Sequence, residues 1–250
     1  MKKKIAILGS TGSIGQTLLK IIEKDKKNFD VVLLSANTNH NRLLKQAKKF
    51  NCKNLIITNE DSYKILKKKI IDKRIKVFNS FKYIKQILDK KIDYTMSAIV
   101  GIKGLNPTYK IIKYTKNIAI ANKESIICGW DIISKNLKKN KTNFIPVDSE
   151  HFSLWYGLQN INYNSVEKIY LTASGGPFLN SRLEKIKHIQ PKYALNHPNW
   201  KMGKKISIDS ATMMNKIFEV IEAIKIFNLN TDQVEILIHP KSYIHAIINF

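Results

Sequence analysis

The stretch GSTGSIG, residues 9–15, follows the apolar run KIAIL and precedes the helical pattern QTLLKIIEK. Its three glycines permit a tight turn, a close approach of a phosphate to backbone N–H groups, and close packing of a helix on a strand. Glycine turns between a strand and a helix are common, so the motif alone is a weak signal. Its place in the first strand–helix unit, beside the hydroxyl groups of Thr11 and Ser13, indicates a dinucleotide-binding turn.

Short apolar runs alternate with segments of helical period from the start to about residue 147. Strands that are apolar throughout, joined by crossover helices, form a parallel sheet covered on both faces. The sequence therefore predicts an α/β fold, a Rossmann-type doubly wound parallel sheet, over residues 1–147. The predicted strands are KIAIL, VVLLSA, NLIIT, YTMSAIV, NIAIA and NFIPV, and the predicted helices span 16–24, 41–50, 61–71, 81–89, 103–115 and 124–138.

The alternation stops after PVDSEH, which predicts a second, α+β catalytic domain over residues 148–250. We expect a segment of mixed character at 152–163, strands at VEKIYLTA, ISID and VEILIHP, and a helix from Ser210 to about Phe227. The chain ends inside the strand-like run YIHAIINF, so we expect this second domain to be truncated.

Composition describes an ordinary globular protein, 44% hydrophobic over 250 residues, without an apolar run of about 20 residues that could cross a membrane. A cytoplasmic location without a membrane partner is the expectation. Cys52 and Cys128 lack metal-type spacing and are expected to be buried, reduced thiols.

The net charge of +24 raises the alternative of a basic nucleic-acid-binding protein. Lysines cover every polar face, whereas arginine occurs only at 42, 74 and 182. Base recognition favours arginine, and a stacking surface needs aromatic residues among the basic ones. We therefore expect no nucleic-acid partner, although such a field would attract a small anionic substrate.

The end of the second strand bears on the choice of cofactor. An NAD site usually places an acidic residue there for the ribose hydroxyl group, but LLSANTNHNR contains none. This absence favours NADPH over NADH, and an ordinary polar loop is the alternative. Five side chains in this stretch can donate to an additional phosphate: Ser35, Asn37, Thr38, Asn39 and Arg42.

The sequence PVDSEH places Asp148 and Glu150 two residues apart at the end of a strand, so that both can point to one face. Two adjacent carboxylates repel each other unless a cation or a shared proton holds them. Oxygen ligands of this kind suit a divalent ion such as Mg²⁺ or Mn²⁺. Solvated loop acids are the alternative.

The segment SIDSATMMNKIFEVIEA adds a predicted helix with Ser210 as its N-cap. A polar face carrying Asn215, Lys216 and Glu219 can supply a third carboxylate and bind an anion, or it can simply face water. The opposite, buried stripe is predicted to consist of Met214, Ile217, Phe218 and Ile221.

Three further segments carry polar or aromatic side chains in turns. Ser174 in TASGGPF can bind an anion or belong to a structural turn. Lys123 in ANKES can reach ligand oxygens or face solvent. The loop NHPNWKMG, with His197, Trp200 and Met202, can form a lid or pack on its own domain.

Together, GSTGSIG, SAIVG, ANKES, PVDSEH, SGGPF, HPNWKMGKKISIDSATMMNK and EILIHPKSYIH resemble the 1-deoxy-D-xylulose 5-phosphate reductoisomerase family. The resemblance runs through nearly the whole chain. It implies an NADPH-dependent, divalent-metal-dependent rearrangement and reduction of 1-deoxy-D-xylulose 5-phosphate to 2-C-methyl-D-erythritol 4-phosphate, and a homodimer at full length. The implied metal is Mn²⁺ or Mg²⁺, with Co²⁺ as a further option.

The resemblance also implies roles for individual residues. Metal binding falls on Asp148, Glu150 and Glu219, which with Lys123 form the implied catalytic set. Cofactor binding falls on Thr11, Gly12, Ser13, Ile14, Ala36, Asn37, Asn39, Asn122, Glu124 and Gly203. Substrate binding falls on Lys123, Ser149, Glu150, Ser174, His197, Trp200, Ser210, Asn215, Lys216 and Glu219.

Two departures from the family pattern stand out. The segment SANTN replaces a glycine and a basic residue that many members carry, and family members continue into a C-terminal helical domain. A reductase of the semialdehyde or homoserine dehydrogenase type is the rival enzyme. Such enzymes need no carboxylate trio, and the semialdehyde class needs a nucleophilic cysteine in its second domain, where this chain has none over residues 148–250.

Overall fold

The computed structural model describes residues 1–196 and 203–250. The chain divides into two compact units, Met1–Ile145 and Pro146–Phe250. This division falls two residues before the predicted domain boundary. Within the described ranges, no helix has the length and apolar character needed to cross a membrane.

Unit 1 is built around a seven-stranded sheet with helices between its strands. Its strands are β1 (Lys3–Leu8), β2 (Phe29–Ala36), β3 (Asn54–Ile57), β4 (Lys76–Phe78), β5 (Ile92–Ser97), β6 (Thr115–Ile120) and β7 (Asn143–Pro146), which ends on the first residue of unit 2. Its helices are α1 (Ser13–Lys24), α2 (His40–Phe50), α3 (Glu60–Lys69), α4 (Ile84–Ile87), α5 (Leu105–Ile111) and α6 (Lys123–Lys139).

The strand order is β4-β3-β2-β1-β5-β6-β7, and the pairings from β4 through β6 are parallel. This order, which reverses direction beside β1, is that of a doubly wound sheet. The apolar strand runs are buried as predicted, with Ile7, Leu33 and Ile57 fully enclosed. The predicted Rossmann-type α/β fold is confirmed.

The sequence prediction missed β4. This strand has only three residues, it lies at the edge of the sheet, and its side chains are partly or largely exposed. A run of three residues is too short to show the alternation of apolar and polar side chains that indicates a strand. Only its pairing with β3 defines β4.

Unit 2 combines a small mixed sheet with helices. Its elements are α7 (Ser149–Gly157), β8 (Lys168–Ala173), α8 (Leu183–Ile186), α9 (Pro191–Ala194), α10 (Lys204–Ala211), α11 (Met214–Phe227), β9 (Val234–Ile238) and β10 (Ala246–Asn249). Strand β8 lies in the middle, parallel to β9 and antiparallel to β10. A core cluster that includes Leu154, Leu171, Ala223 and Phe227 joins α7 and α11 to this sheet.

Two predicted elements of unit 2 were wrong. Residues 206–209, expected to be a strand, lie in α10, where an ion pair between Lys205 and Asp209 at 2.8 Å and the bond from Ser207 Oγ to the Gly203 carbonyl support a helix. Ser210 is not an N-cap, because it lies near the end of α10. The single helix predicted from Ser210 is divided by Met213, whose φ of 60° is left-handed.

The segment 152–163, expected to have mixed character, begins in α7, which runs from Ser149 to Gly157, and continues as turns that lead into a short 3-10 helix at Tyr163–Ser165. Asp148 and Glu150 therefore lie at the start of a helix and not on a strand. Asp148 is the N-cap of α7, and Glu150 lies in its first turn. Their proximity comes from the helix start and not from the pleat of a strand.

The predicted buried stripe of α11 was also wrong. Met214 and Ile217 are 38% and 47% exposed, whereas Lys216 and Glu219 are 4% and 2% exposed. The polar face points inward, because its charged groups are paired with α7 and with one another. Hydrophobic periodicity cannot anticipate a helix whose polar side chains find their partners inside the fold.

The two cysteines are free, but only Cys52 is buried. The expectation of two buried thiols was wrong for Cys128, which lies on an exposed position of α6.

We expect a thiol reagent to modify Cys128 rapidly in the folded protein and Cys52 only after unfolding. Burial raises the pKa of the Cys52 thiol from 9.0 to about 12, and the thiolate is the reactive form. Mass spectrometry after brief labelling at mildly alkaline pH measures this difference. The control Cys128→Ser should remove the fast phase, and rapid double labelling of the native protein would contradict the buried position of Cys52.

The same shift predicts a loss of stability in alkali. A folded-state pKa above the unfolded value means that the neutral thiol's contribution to stability is present below pH 9.0 and is lost as the pH rises towards 12. Thermal unfolding of Cys52→Ala should therefore depend less on pH across this window than that of the unchanged protein.

Candidate active site

The glycine turn of unit 1 is packed tightly against its neighbours. Gly9 has a φ of +82°, and a Cβ atom on it would lie 2.6 Å from the Ala98 carbonyl oxygen. A Cβ atom on Gly15 would lie 2.6 Å from the Gly9 carbonyl oxygen. Both positions require glycine, as the motif predicts. Gly12 precedes α1, and residues 12–14 are exposed, so the first N–H groups of this helix are open to a ligand.

A buried amide holds this turn in place. Gln46 Nε2 donates to the Ser10 carbonyl oxygen at 2.9 Å, and Gln46 Oε1 accepts from Ser10 Oγ at 2.8 Å. Ser35 Oγ accepts from the Gly9 N–H at 3.0 Å. Sequence reasoning missed Gln46, because it is an ordinary polar residue on a helix. Its two bonds fix the backbone of the turn from behind.

The end of β2 lies beside the same turn. Ala36 is buried, and Asn37 Oδ1 accepts from Thr58 Oγ1 at 3.1 Å. Asn39 caps α2 by accepting from the Arg42 N–H, and Arg42 Nη1 donates to the Thr11 carbonyl oxygen at 3.4 Å. The structure thus brings the arginine of this polar stretch to the glycine turn.

Asn122, Lys123 and Glu124 lie where β6 passes into α6. The Asn122 side chain bonds mainly to the backbone. Its Oδ1 caps α6 by accepting from the Ser125 N–H, and its Nδ2 donates to the carbonyl oxygens of Ile99 and Gly101 and, at 3.2 Å, to Glu124 Oε2. This amide fixes the loop after β5. Lys123 and Glu124 occupy the first turn of α6 and are partly buried.

The three acidic side chains singled out in the sequence converge in unit 2. Asp148 and Glu150 come from the start of α7 and Glu219 from the second turn of α11. One carboxylate oxygen from each lies within 4.8 Å of the others. Glu219 is buried, and the other two are partly buried. Three oxygen donors this close suit a hard divalent cation.

Charge repulsion and burial act together in this cluster. Burial raises the pKa of Glu150, and the nearby Asp148 and Glu219 carboxylates raise it further, although Lys216 opposes the shift. Burial by itself would lower the pKa of Lys216, but Glu219 and Glu150 outweigh it, so the pKa of Lys216 is raised. The ammonium group of Lys216 therefore supplies positive charge that stabilises the carboxylates.

The two residues beside Glu219 in the predicted polar face contact it directly. Lys216 Nζ lies 2.8 Å from Glu150 Oε1 and is paired with Glu219 Oε2. Asn215 Nδ2 donates to Glu219 Oε1. Ser149 Oγ, on the exposed start of α7, donates to Glu150 Oε2 at 2.7 Å. The structure thus brings these predicted residues together, with both oxygens of Glu219 engaged.

Behind the cluster lie His151 and Glu222, to which sequence reasoning assigned no role. His151 is completely buried, and its Nε2 donates to the Glu219 carbonyl oxygen at 2.9 Å. Its Nδ1 lies 3.9 Å from both Asp148 Oδ1 and Glu222 Oε2. The ring therefore ties α7 to α11 at the residue that supplies the third carboxylate. The sequence signal was a histidine directly after PVDSE.

The small-residue turn after β8 meets the end of α10. A Cβ atom on Gly176 would lie 2.7 Å from the Ser210 carbonyl oxygen, and Gly176 has a φ of +72°. Ser174 Oγ accepts from the Gly176 N–H at 3.3 Å. Gly203 is exposed and caps α10. His197, Trp200 and Met202 lie outside the described residues.

The doubly wound sheet and its glycine turn define unit 1 as a Rossmann-type fold, and unit 2 carries a buried carboxylate cluster. The chain belongs to the 1-deoxy-D-xylulose 5-phosphate reductoisomerase family. The family's model matches residues 5–129, and the model of the 1-deoxy-D-xylulose 5-phosphate reductoisomerase C-terminal domain matches residues 144–227. This membership sets aside the semialdehyde and homoserine dehydrogenase alternatives.

Similar proteins carry the same family name. A curated 1-deoxy-D-xylulose 5-phosphate reductoisomerase from Pelagibacter ubique (strain HTCC1062) is 62% identical, covering 99% of this chain and 64% of the relative. The Zymomonas mobilis enzyme in complex with NADPH is 35% identical with a TM-score of 0.89, covering 100% of this chain and 65% of the other.

A DOX-P reductoisomerase in complex with NADPH, fosmidomycin and magnesium is also 35% identical, with a TM-score of 0.91, covering 99% of this chain and 64% of the other. The present chain spans 64% of the length of the Pelagibacter relative.

Replacing His151 by alanine should destabilise the protein, and because the side chain is buried the surface should stay unchanged. The Glu219 carbonyl oxygen would lose its bond to the imidazole and the buried ring would leave a cavity, which together cost roughly 1 to 3 kcal/mol in the free energy of unfolding. Urea denaturation followed by circular dichroism measures this loss. The exposed His188→Ala is the control and should change stability by less than about 0.5 kcal/mol. Equal stability of both variants would show that His151 does not tie the two helices together.

Proposed function

We propose that the protein acts as an NADPH-dependent, divalent-metal-dependent oxidoreductase that converts 1-deoxy-D-xylulose 5-phosphate to 2-C-methyl-D-erythritol 4-phosphate. One observation supports the proposal most directly. In this member of the family, one carboxylate oxygen from each of Asp148, Glu150 and Glu219 lies within 4.8 Å of the others, although the residues come from two separate segments. The relatives crystallised with NADPH and with magnesium support the choice of cofactors.

The chemistry of the donor set fits a divalent cation. Asp148, Glu150 and Glu219 offer three oxygen donors, and burial together with the nearby Asp148 and Glu219 carboxylates raises the pKa of Glu150, an effect that a bound cation would oppose. These residues would hold Mg²⁺ or Mn²⁺, with Co²⁺ as a further option. When bound, such an ion polarises a ketone and stabilises an oxyanion during breakage and reformation of a carbon–carbon bond.

Unit 1 is the proposed NADPH-binding domain, and the nicotinamide supplies the hydride. The open start of α1 at residues 12–14 would receive the pyrophosphate, with Thr11 beside it. Arg42 and Asn39 would face the additional phosphate that distinguishes NADPH, since SANTN places no acidic residue there. The remaining proposed contacts are Ala36, Asn37, Asn122, Glu124 and Gly203.

Unit 2 is the proposed catalytic domain. Ser174 and Ser210 would bind the phosphate of the substrate together with Asn215 and Lys216. The turn that follows Ser174 packs against α10, because Gly176 approaches the Ser210 carbonyl oxygen closely. Binding energy from this remote group orients the reacting carbon atoms. Ser149 would contact the reacting end of the substrate, and Lys123, in the first turn of α6 of unit 1, is a further proposed substrate contact. His197 and Trp200, in a segment that the sequence predicts to be a loop, would cover the substrate and exclude water.

A spectrophotometric assay tests the proposed activity. Loss of NADPH absorbance should require both 1-deoxy-D-xylulose 5-phosphate and a divalent cation, and a chelator should abolish it. The assay is best run on this chain and on a version that extends to the length of its relatives. Homodimer formation and a cytoplasmic location stay predictions, and analytical ultracentrifugation of the longer version would test the first.

Glu219→Gln should abolish metal-dependent turnover and leave the affinity for NADPH almost unchanged. The substitution removes the charge of one proposed metal ligand in unit 2 while the glycine turn is untouched. Isothermal titration with Mn²⁺ and fluorescence titration with NADPH measure the two effects separately. Exposed Glu184→Gln is the charge-matched control in the same unit. A comparable loss of both affinities would contradict the assignment.

Gln46→Leu should weaken NADPH binding and leave metal binding unchanged, the reverse of the pattern expected for Glu219→Gln. Leucine fills the space of the amide but cannot bond to Ser10, so the glycine turn loses its support from α2. We expect the dissociation constant for NADPH to rise about tenfold, equivalent to about 1.4 kcal/mol, the scale of one or two lost hydrogen bonds. Affinity for Mn²⁺ should stay the same. Unchanged NADPH binding would remove Gln46 from the cofactor site.

A further inference from the structure

Lys216 is assigned by resemblance to the substrate, yet its ammonium group is buried among carboxylates. Only 5% of its side chain is exposed, and Nζ lies 2.8 Å from Glu150 Oε1 and contacts Glu219 Oε2. One of the three donors of this ammonium group bonds to Glu150 Oε1, and the group also forms an ion pair with Glu219 Oε2. The group that would bind a phosphate is thus already bound to two of the three proposed metal ligands.

A divalent ion held by Glu150 and Glu219 would compete with the ammonium group for the negative charge of the same two carboxylates. A Mg²⁺ ion on the oxygens that Nζ contacts would lie about 2.1 Å from each of them, close to the ammonium group. Two cations this close in a partly buried site repel strongly. The second oxygen of Glu219 accepts from Asn215 Nδ2, so a metal ion at Glu219 competes with two neighbours on α11.

We propose that Lys216 is an internal counter-cation which the divalent metal displaces from Glu150 and Glu219, and that this displacement releases its ammonium group to bind the anionic group of the substrate. The inference rests on the proposed function, because it concerns the same carboxylates. It implies an order: the metal binds first, and the phosphate-binding side chains become available afterwards. Asn215 is released from Glu219 in the same step.

Chemical labelling of lysine tests the displacement directly. Reductive methylation followed by peptide mass spectrometry should show Lys216 protected when the protein is kept in chelator, and its labelling rate should rise severalfold when Mg²⁺ is added. Lys225, in the last turn of the same helix, is the internal reference and should react at one rate throughout. If Mg²⁺ binds while Lys216 stays protected, the proposal is wrong.

The affinity for metal gives a second, independent measurement. Lys216→Met removes the competing cation, so Mn²⁺ should bind about tenfold more tightly or better, as electron paramagnetic resonance of free Mn²⁺ reports. Lys225→Met removes one charge from a partly exposed site, which salt screens, and should alter the affinity by less than about twofold. Circular dichroism confirms that both variants fold.

The outcomes separate the two proposals. If neither the unchanged protein nor Lys216→Met binds Mn²⁺, the proposed metal-dependent function fails, and this inference fails with it. If both bind Mn²⁺ with equal affinity, the function stands and Lys216 is not a competitor. If Lys216→Met binds more tightly but Mg²⁺ leaves Lys216 protected in the unchanged protein, the lysine only repels the metal and is not displaced by it.

Discussion

Negative charge held inside a small fold is the constraint on which unit 2 depends. Three carboxylate oxygens lie within 4.8 Å of one another, and like charges this close are unfavourable unless a cation shares their site. The ammonium group of Lys216 supplies that charge in the structure, in contact with both Glu150 and Glu219. The inward face of α11 is polar because these groups stabilise one another where solvent cannot.

The histidine behind this cluster shows how the fold keeps the carboxylates together. His151 follows Glu150 by one residue and bonds to the backbone of Glu219, so the two helices that carry the acids are joined at the acids themselves. Apolar contacts between α7, α11 and the small sheet support this bond from the other side. A site built on two packed helices is held more rigidly than one built on loops.

In unit 1, a few buried contacts hold the glycine turn in shape. A phosphate-binding turn must present backbone N–H groups while keeping a shape that its own short sequence does not enforce. Gly9 and Gly15 remove the side chains that would obstruct the turn, and the amide of Gln46 holds its backbone from behind. Tight packing explains why Gly9 and Gly15 must be glycine, and the buried amide of Gln46 explains what holds the backbone of the turn in place.

The sequence by itself determined the Rossmann-type unit, the site of the glycine turn and the identity of the acidic residues, because buried parallel strands, obligatory glycines and long family motifs leave local signals. Tertiary structure decided the short edge strand β4, the helix over 204–211, and the inward orientation of the polar face of α11. It also decided the roles of Gln46 and His151. These features depend on partners distant in sequence, and hydrophobic periodicity carries no information about a polar group that becomes buried once its partner is present.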